Sequence, residues 1–171
     1  MKLYHFSEES SIAAFVPRQK ENRKNMPPVV WAIDEAHAFT FYFPRACPRI
    51  VYTRTDDIDE RDAQTFFGTS GANIVVTVET AWFGRIRSAV IYRYHLPAET
   101  FRLFDEYAGY YISTETVAPL AVEPLDRLLE RLMELGVEVR FTPDLHPLRN
   151  AILQSSLRDF GIHQFANFSR A

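Results

Sequence analysis

Val29-Val30-Trp31-Ala32-Ile33-Asp34 is the stretch from which the fold is read. Five apolar residues follow one another without alternation, the pattern of a strand covered on both faces. Asp34 ends the run with a side chain suited to cap a helix start, because its carboxylate accepts from the free amides of a first turn. The residues after it place Ala36, Phe39, Thr40 and Phe43 on one stripe, with Phe41 and Tyr42 beside it, and predict a buried helix. Pro44 and Pro48 close that helix. Upstream, Lys2 to Phe6 reads as a short strand, and Ser7-Glu8-Glu9-Ser10 offers helix-start chemistry ahead of Ile12 and Phe15. Between them, Pro17 to Pro28 is a polar loop that carries Arg18, Lys20, Arg23 and Lys24 and closes on two prolines.

Downstream the signals alternate. Arg49 to Thr55 and Asn73 to Glu79 read as strands, separated by the helix-compatible Asp56 to Phe67 and the turn Gly68-Thr69-Ser70-Gly71. Thr80 to Arg87 fits a turn or two of helix, and Ala89 to Leu96 is a strand stopped by Pro97. Tyr110 to Ser113 and Thr116 to Val122 are shorter strands. Pro124 at a first helical position, with Leu125, Leu128, Leu129 and Leu132 at helical spacing, predicts a helix closed by Gly136. Val137 to Phe141 is a further strand, and Asp144 caps a helix striped by Leu145, Leu148 and Ile152. The tail from Phe160 to Phe168 keeps enough apolar residues to dock. Strands that come both singly and in clusters, mixed with helices and without a linker, predict one α+β domain spanning residues 1–171.

Composition excludes several function classes. A chain of 171 residues with 47% apolar and 24% charged residues has the balance of a globular domain. Its net charge of −3 leaves no general basic footprint, so nucleic acid is not an expected partner. Cys47 is the only cysteine and cannot form an internal disulfide. No apolar run approaches the roughly 20 residues of a membrane helix, and Met1 to Glu8 lacks the apolar core of a secretion signal, so a cytoplasmic location is expected. No phosphate-binding glycine motif, zinc motif or nucleophile elbow is present, and no metal is expected. Cys47 lies between Ala46 and Pro48, in the setting of a bystander thiol rather than a nucleophile.

Four features have side chains suited to chemistry. His5 sits mid-strand with its side chain opposite those of Tyr4 and Phe6. It is either a core histidine with a backbone partner or a cleft residue that meets a ligand hydroxyl. The loop cations, Arg18 among them, form a solvated run or a lid that meets phosphate. Arg45 and Arg49, held by Pro44 and Pro48, either satisfy helix carbonyls or fork onto a pyrophosphate. Glu115, in a β-rich and mostly apolar segment, is a turn carboxylate or a site residue.

The stretches LYHFSEE, PPVVWAIDEAHAFTFYFPR, IYRYHLPAETF and GYYISTETVAPL resemble a bacterial family of small proteins of unknown function, over nearly the whole chain. More distantly, the order of parts resembles the ADP-ribosyltransferase fold: His on the first strand, aromatics on the second and after it, Glu near a late strand. That resemblance implies a mixed, mainly antiparallel split sheet flanked by helices, with a nucleotide cleft and NAD as substrate. It implies that His5 and Glu115 hold the ribose hydroxyls and that Glu115 stabilises the oxocarbenium-like state. It further implies Trp31 or Tyr42 against the nicotinamide, and Arg18, Arg45 and Arg49 toward phosphate. The chain lacks a Ser-Thr-Ser signature on its second strand, and Ser113 stands where a second acid would precede Glu115. The same His5 and arginines also suit an arrangement resembling the RNA 2′-phosphotransferases. The reading from a different class is a non-catalytic module that binds a small ligand or a protein partner.

Overall fold

The computed structural model describes residues 1–169. The strands are, in chain order, β1 (Leu3–Ser7), β2 (Val30–Asp34), β3 (Arg49–Thr53), β4 (Ile74–Glu79) and β5 (Ile91–Leu96). They continue as β6 (Arg102–Asp105), β7 (Tyr110–Ser113), β8 (Ala121–Leu125), β9 (Glu138–Thr142) and β10 (Phe160–His163). The helices are α1 (Glu60–Phe67), α2 (Phe83–Ser88), α3 (Leu128–Glu134) and α4 (His146–Leu153). The fold is α+β, as expected. Contacts divide the chain into two compact units, one made of Met1–Tyr42 with Val90–Asp126, the other of Phe43–Ala89 with the chain from Arg127 onward.

The first unit is an antiparallel sheet of six strands in the order β6-β7-β2-β1-β5-β8. The Val29–Asp34 run is an interior strand covered on both faces. Val30 and Ala32 join Leu3, Phe15, Tyr94, Leu96, Phe101 and Val117 in one apolar cluster. Ile33, pointing the other way, joins Tyr4 and Ala38 in a second.

Four expectations from the sequence differ from the structure. The helix expected after Asp34 is only a four-residue 3-10 turn, Ala38–Phe41. Asp34 does supply cap chemistry, but it folds the chain into a tight turn, accepting from both the amide and the ring Nδ1 of His37 at 2.9 and 2.7 Å. The aromatic residues that follow are weak helix formers, so nothing extends the turn. No helix follows Ser7 either. The hydroxyl of buried Tyr94 donates to the Glu9 carbonyl and accepts from the Ile12 amide, so this segment's backbone is satisfied across the sheet. Pro124 does not open a helix. It lies in β8, opposite Tyr92, on an outermost strand where a missing N–H goes unnoticed, and α3 starts at Leu128. The strand expected over Thr116 to Val122 is likewise displaced to Ala121–Leu125, with Val117 left as an isolated bridge to Phe15.

Gly109 supports the 3-10 turn from β7's side. Its φ of +70° is left-handed, and its carbonyl accepts from the Asp34 amide at 3.0 Å. A β-carbon built there would lie 2.3 Å from His37 Nδ1 and 2.7 Å from Asp34 Oδ1. Gly109→Ala therefore combines backbone strain with a clash, and is expected to cost about 2–4 kcal/mol in urea unfolding. An unchanged midpoint would mean that the turn is not held by this contact.

The second unit has four strands in the order β10-β3-β4-β9, with β4 and β9 parallel and the other pairs antiparallel. Its core gathers Ile50, Tyr52, Phe66, Phe67, Val75, Leu145, Ile152, Leu157 and Phe168. Of the three stripe residues, Leu145 and Ile152 are buried and Leu148 packs half-buried against this core. Gly136, at φ +76°, ends α3 as expected, with its own amide bonded to the Met133 carbonyl and that of Val137 to Leu132. Neither β6 nor β10 was expected from the sequence.

Candidate functional site

The site in the first unit begins with a parting of strands. β1 pairs with β5 along its whole length, from Leu3 opposite Leu96 to Ser7 opposite Tyr92. With β2 it pairs only at Leu3–Asp34 and Tyr4–Ile33. Beyond Tyr4 the two central strands separate, while β2 keeps its pairing with β7 from Ile33 back to Val30. The ring of His5 occupies the fork, where its Nδ1–H donates to the Trp31 carbonyl at 3.0 Å.

That bond fixes the chemistry of the imidazole. A carbonyl only accepts, so Nδ1 carries the proton and Nε2 is left with a bare lone pair. Burial holds the His5 pKa below its ordinary value, opposed by the Trp31 bond and assisted by the positive charge of Lys20. His5 is therefore a neutral acceptor at neutral pH. Its other neighbour is the Phe15 ring, with centroids 4.6 Å apart. His5 thus has the backbone partner that one of its two sequence readings expects.

The loop between Pro17 and Pro28 folds back onto β2. Gln19 Nε2 stitches it together by donating to the carbonyls of Lys24 and Met26 at 2.9 and 3.0 Å, and Arg18 pairs with Val29 through the backbone. Lys20 Nζ comes to rest 4.2 Å from the centre of the Trp31 ring, and the Arg23 guanidinium 5.0 Å from it. Arg23 also lies 5.2 Å from the Phe104 ring. Phe104 and Tyr110 meet Trp31 edge-on, at centroid distances of 5.0 and 5.8 Å. Loss of hydration over the indole, and then the charge of Arg23, pull the Lys20 pKa below its usual value. Among the described residues no carboxylate pairs with Arg18, Lys20, Arg23 or Lys24. The indole Nε1–H of Trp31 is buried and meets no acceptor.

Glu115 borders the same end of the sheet. It lies between Ser113, which faces Val30 on β2, and Val117, whose backbone pairs with that of Phe15. The Ser113 hydroxyl accepts from the Glu115 amide at 3.1 Å and donates to Thr100 at 2.9 Å, which anchors the segment. The carboxylate itself is exposed, and among the described residues it has no partner. Tyr42 is 8% exposed, with its hydroxyl accepting from Arg93 at 3.2 Å and its ring beside Phe6.

The first unit thus holds His5, Arg18, Trp31, Tyr42 and Glu115, whereas Arg45 and Arg49 belong to the second. Arg45 is exposed there. Arg49 is 5% exposed, donates to the Cys47 carbonyl at 2.9 Å and packs over Phe43. Cys47 is buried completely, and its thiol pKa is pushed up to about 12 by that burial, so it stays protonated. An open polar hollow of about 390 Å3 in the second unit is lined by Thr65, Thr69, Ser70, Glu138 and Arg140. The Arg140 guanidinium is already engaged by Glu138, the Tyr52 hydroxyl and the Phe66 carbonyl. Lys20 and Arg23 are the residues here that the sequence marks only weakly. The only signal for them was a cation-rich loop with a single acid, Glu21, ahead of Trp31.

Among the described residues no three His, Cys, Asp or Glu side chains group to hold a metal, and no helix is long and apolar enough to cross a membrane. The fold and site define an α+β protein whose antiparallel sheet parts beside a neutral histidine and two unpaired cations. The chain belongs to a family of unknown function (DUF6886), whose model matches residues 4–168. No curated protein and no solved structure matches it.

Proposed function

We propose that the chain binds NAD or a related nucleotide at the fork between β1 and β2, and acts on it as an ADP-ribosyltransferase or NAD glycohydrolase. The observation that carries this reading is the fork itself. What supports the reading is an imidazole held in one neutral tautomer through Nδ1, two cations without carboxylate partners over the neighbouring Trp31 ring, and the exposed carboxylate of Glu115 on the segment between Ser113 and the Phe15–Val117 bridge. His5 Nε2 accepts from a ribose hydroxyl of the substrate. The carboxylate of Glu115 stabilises positive charge at the ribose carbon as nicotinamide departs with the bonding pair. Water or an acceptor hydroxyl then forms the new bond to that carbon and releases its proton.

Calorimetric titration with NAD tests the binding step. His5→Ala is expected to weaken binding by about 1–3 kcal/mol, the cost of a lost buried hydrogen bond. No heat at millimolar NAD would end the reading. Binding without release of nicotinamide would favour a non-catalytic ligand-binding module. A second catalytic reading resembles the RNA 2′-phosphotransferases, and the cations beside His5 favour it, since that chemistry relies on His and positive charge rather than on a carboxylate. Loss of the 2′-phosphate from a 2′-phosphorylated ribo-oligonucleotide, dependent on NAD and indifferent to Glu115→Gln, would select it.

A further inference from the structure

We propose that Lys20, Arg23 and the indole N–H of Trp31 form a phosphate subsite that takes the pyrophosphate of a small nucleotide. The assignment rests on the nucleotide reading above and moves the phosphate contacts to residues of the first unit. Three observations converge on it. Two cations share one indole, at 4.2 and 5.0 Å from its centre, although like charges repel. Ring attraction offsets only part of that repulsion at a partly hydrated site, and no carboxylate among the described residues supplies the rest. An anion between them would.

The second observation is the Trp31 Nε1–H, buried and without an acceptor. A buried donor left unmade is costly, and such groups recur where a ligand or water completes the bond. Anionic oxygen is an acceptor suited to this donor, and it carries the charge that the two cations lack. The third is that the loop backbone carrying the cations is tied together. The carbonyl of Lys20 accepts from the Arg23 amide at 2.9 Å, and Gln19 ties both sides of the turn. The loop therefore presents its charges with part of the ordering cost already met.

The arrangement also gives Trp31 a different part from that of a base platform. Lys20 and Arg23 lie over the ring, while Phe104 and Tyr110 meet it edge-on. A nicotinamide stacked on it would have to displace both cations. As a phosphate donor, Trp31 instead anchors one part of the ligand and leaves the sugar to face His5, on the adjoining strand.

The test is calorimetric titration of the full chain with inorganic pyrophosphate, ADP-ribose, adenosine and a short single-stranded RNA. Pyrophosphate and ADP-ribose are expected to bind, more weakly as salt is raised, and adenosine to bind at least about tenfold less well than ADP-ribose. Lys20→Met and Arg23→Met should each weaken pyrophosphate binding about tenfold and flatten its salt dependence. Both residues sit in an exposed loop, so the variants are expected to fold. Trp31→Phe keeps a ring for the cations but removes the N–H, and should weaken pyrophosphate binding by about three- to tenfold, with the thermal transition as its folding control. Wild-type pyrophosphate binding in both methionine variants, or none in the wild type, would overturn the subsite. Tighter binding of RNA than of ADP-ribose would overturn the small-nucleotide assignment. NAD binding with a failed subsite would leave the function standing. Pyrophosphate binding dependent on Lys20 and Arg23, without NAD binding, would leave the subsite and remove the function.

Discussion

Glu115→Gln is expected to leave NAD binding within about twofold of the wild type and to lower nicotinamide release by about 10²-fold or more. The amide keeps the shape of the side chain and one acceptor oxygen, so ground-state contacts with a ribose hydroxyl survive. What it loses is the negative charge, which matters only as positive charge grows on the ribose carbon. An interaction stronger in the transition state than in the bound substrate appears in kcat and not in affinity. The backbone at this position should be undisturbed, because Ser113 holds the Glu115 amide rather than its carboxylate. Equal release by wild type and variant, with NAD bound by both, would remove Glu115 from the chemistry.

The part of the fold that sequence made legible is the part set by local pattern. Val29–Ile33 reads as doubly covered because no polar residue interrupts it, and it is an interior strand with neighbours on both faces. Leu128 and Leu132 repeat at helical spacing and Gly136 stops the repeat, and all three take those positions. The misread segments are those whose backbone partners are far away in sequence. Glu9 and Ile12 give up helix because the Tyr94 hydroxyl, more than eighty positions on, takes their backbone groups. Pro124 was read as a helix start because nothing local marks β8 as an outermost strand. Arg102–Asp105 and Phe160–His163 are four residues each, too short for alternation to declare itself.

The site divides the same way. His5 was legible as a residue in a strand with aromatic neighbours, but the fork in which its ring sits follows from a register that runs fully with β5 and only two residues with β2. No window of sequence contains that difference. The loop cations were legible as charge, and their landing on Trp31 was not, since it depends on Gln19 folding the turn back over the strand. Tyr42 shows the converse. An aromatic near the second strand qualified it as a platform, whereas the structure covers its ring and engages its hydroxyl with Arg93.

Acidification should destabilise the chain well above the range in which carboxylates titrate, and His163 is the main reason. Burial, with the charge of Arg49 second, pushes its pKa down from 6.5 to about 3. The unfolded chain takes up a proton at this residue near pH 6.5 while the folded chain does not. Its contribution is therefore complete above pH 6.5 and is lost progressively as pH falls toward 3, at about 1.4 kcal/mol per pH unit. Between pH 6.5 and 5 that amounts to about 2 kcal/mol, and His5, whose pKa is also lowered, adds to the slope in the same direction. The carboxylates with depressed pKa values, Glu123, Glu138 and Asp144 among them, lose their contributions only at lower pH, so this window isolates the histidines. Urea unfolding at pH 6.5 and 5 reads the difference. His163→Gln should recover most of the loss, and the comparison between two pH values cancels whatever packing cost the glutamine brings at both. A wild-type stability that is flat across the window, or a loss untouched by His163→Gln, would show that the half-buried imidazole is not the group that titrates on unfolding.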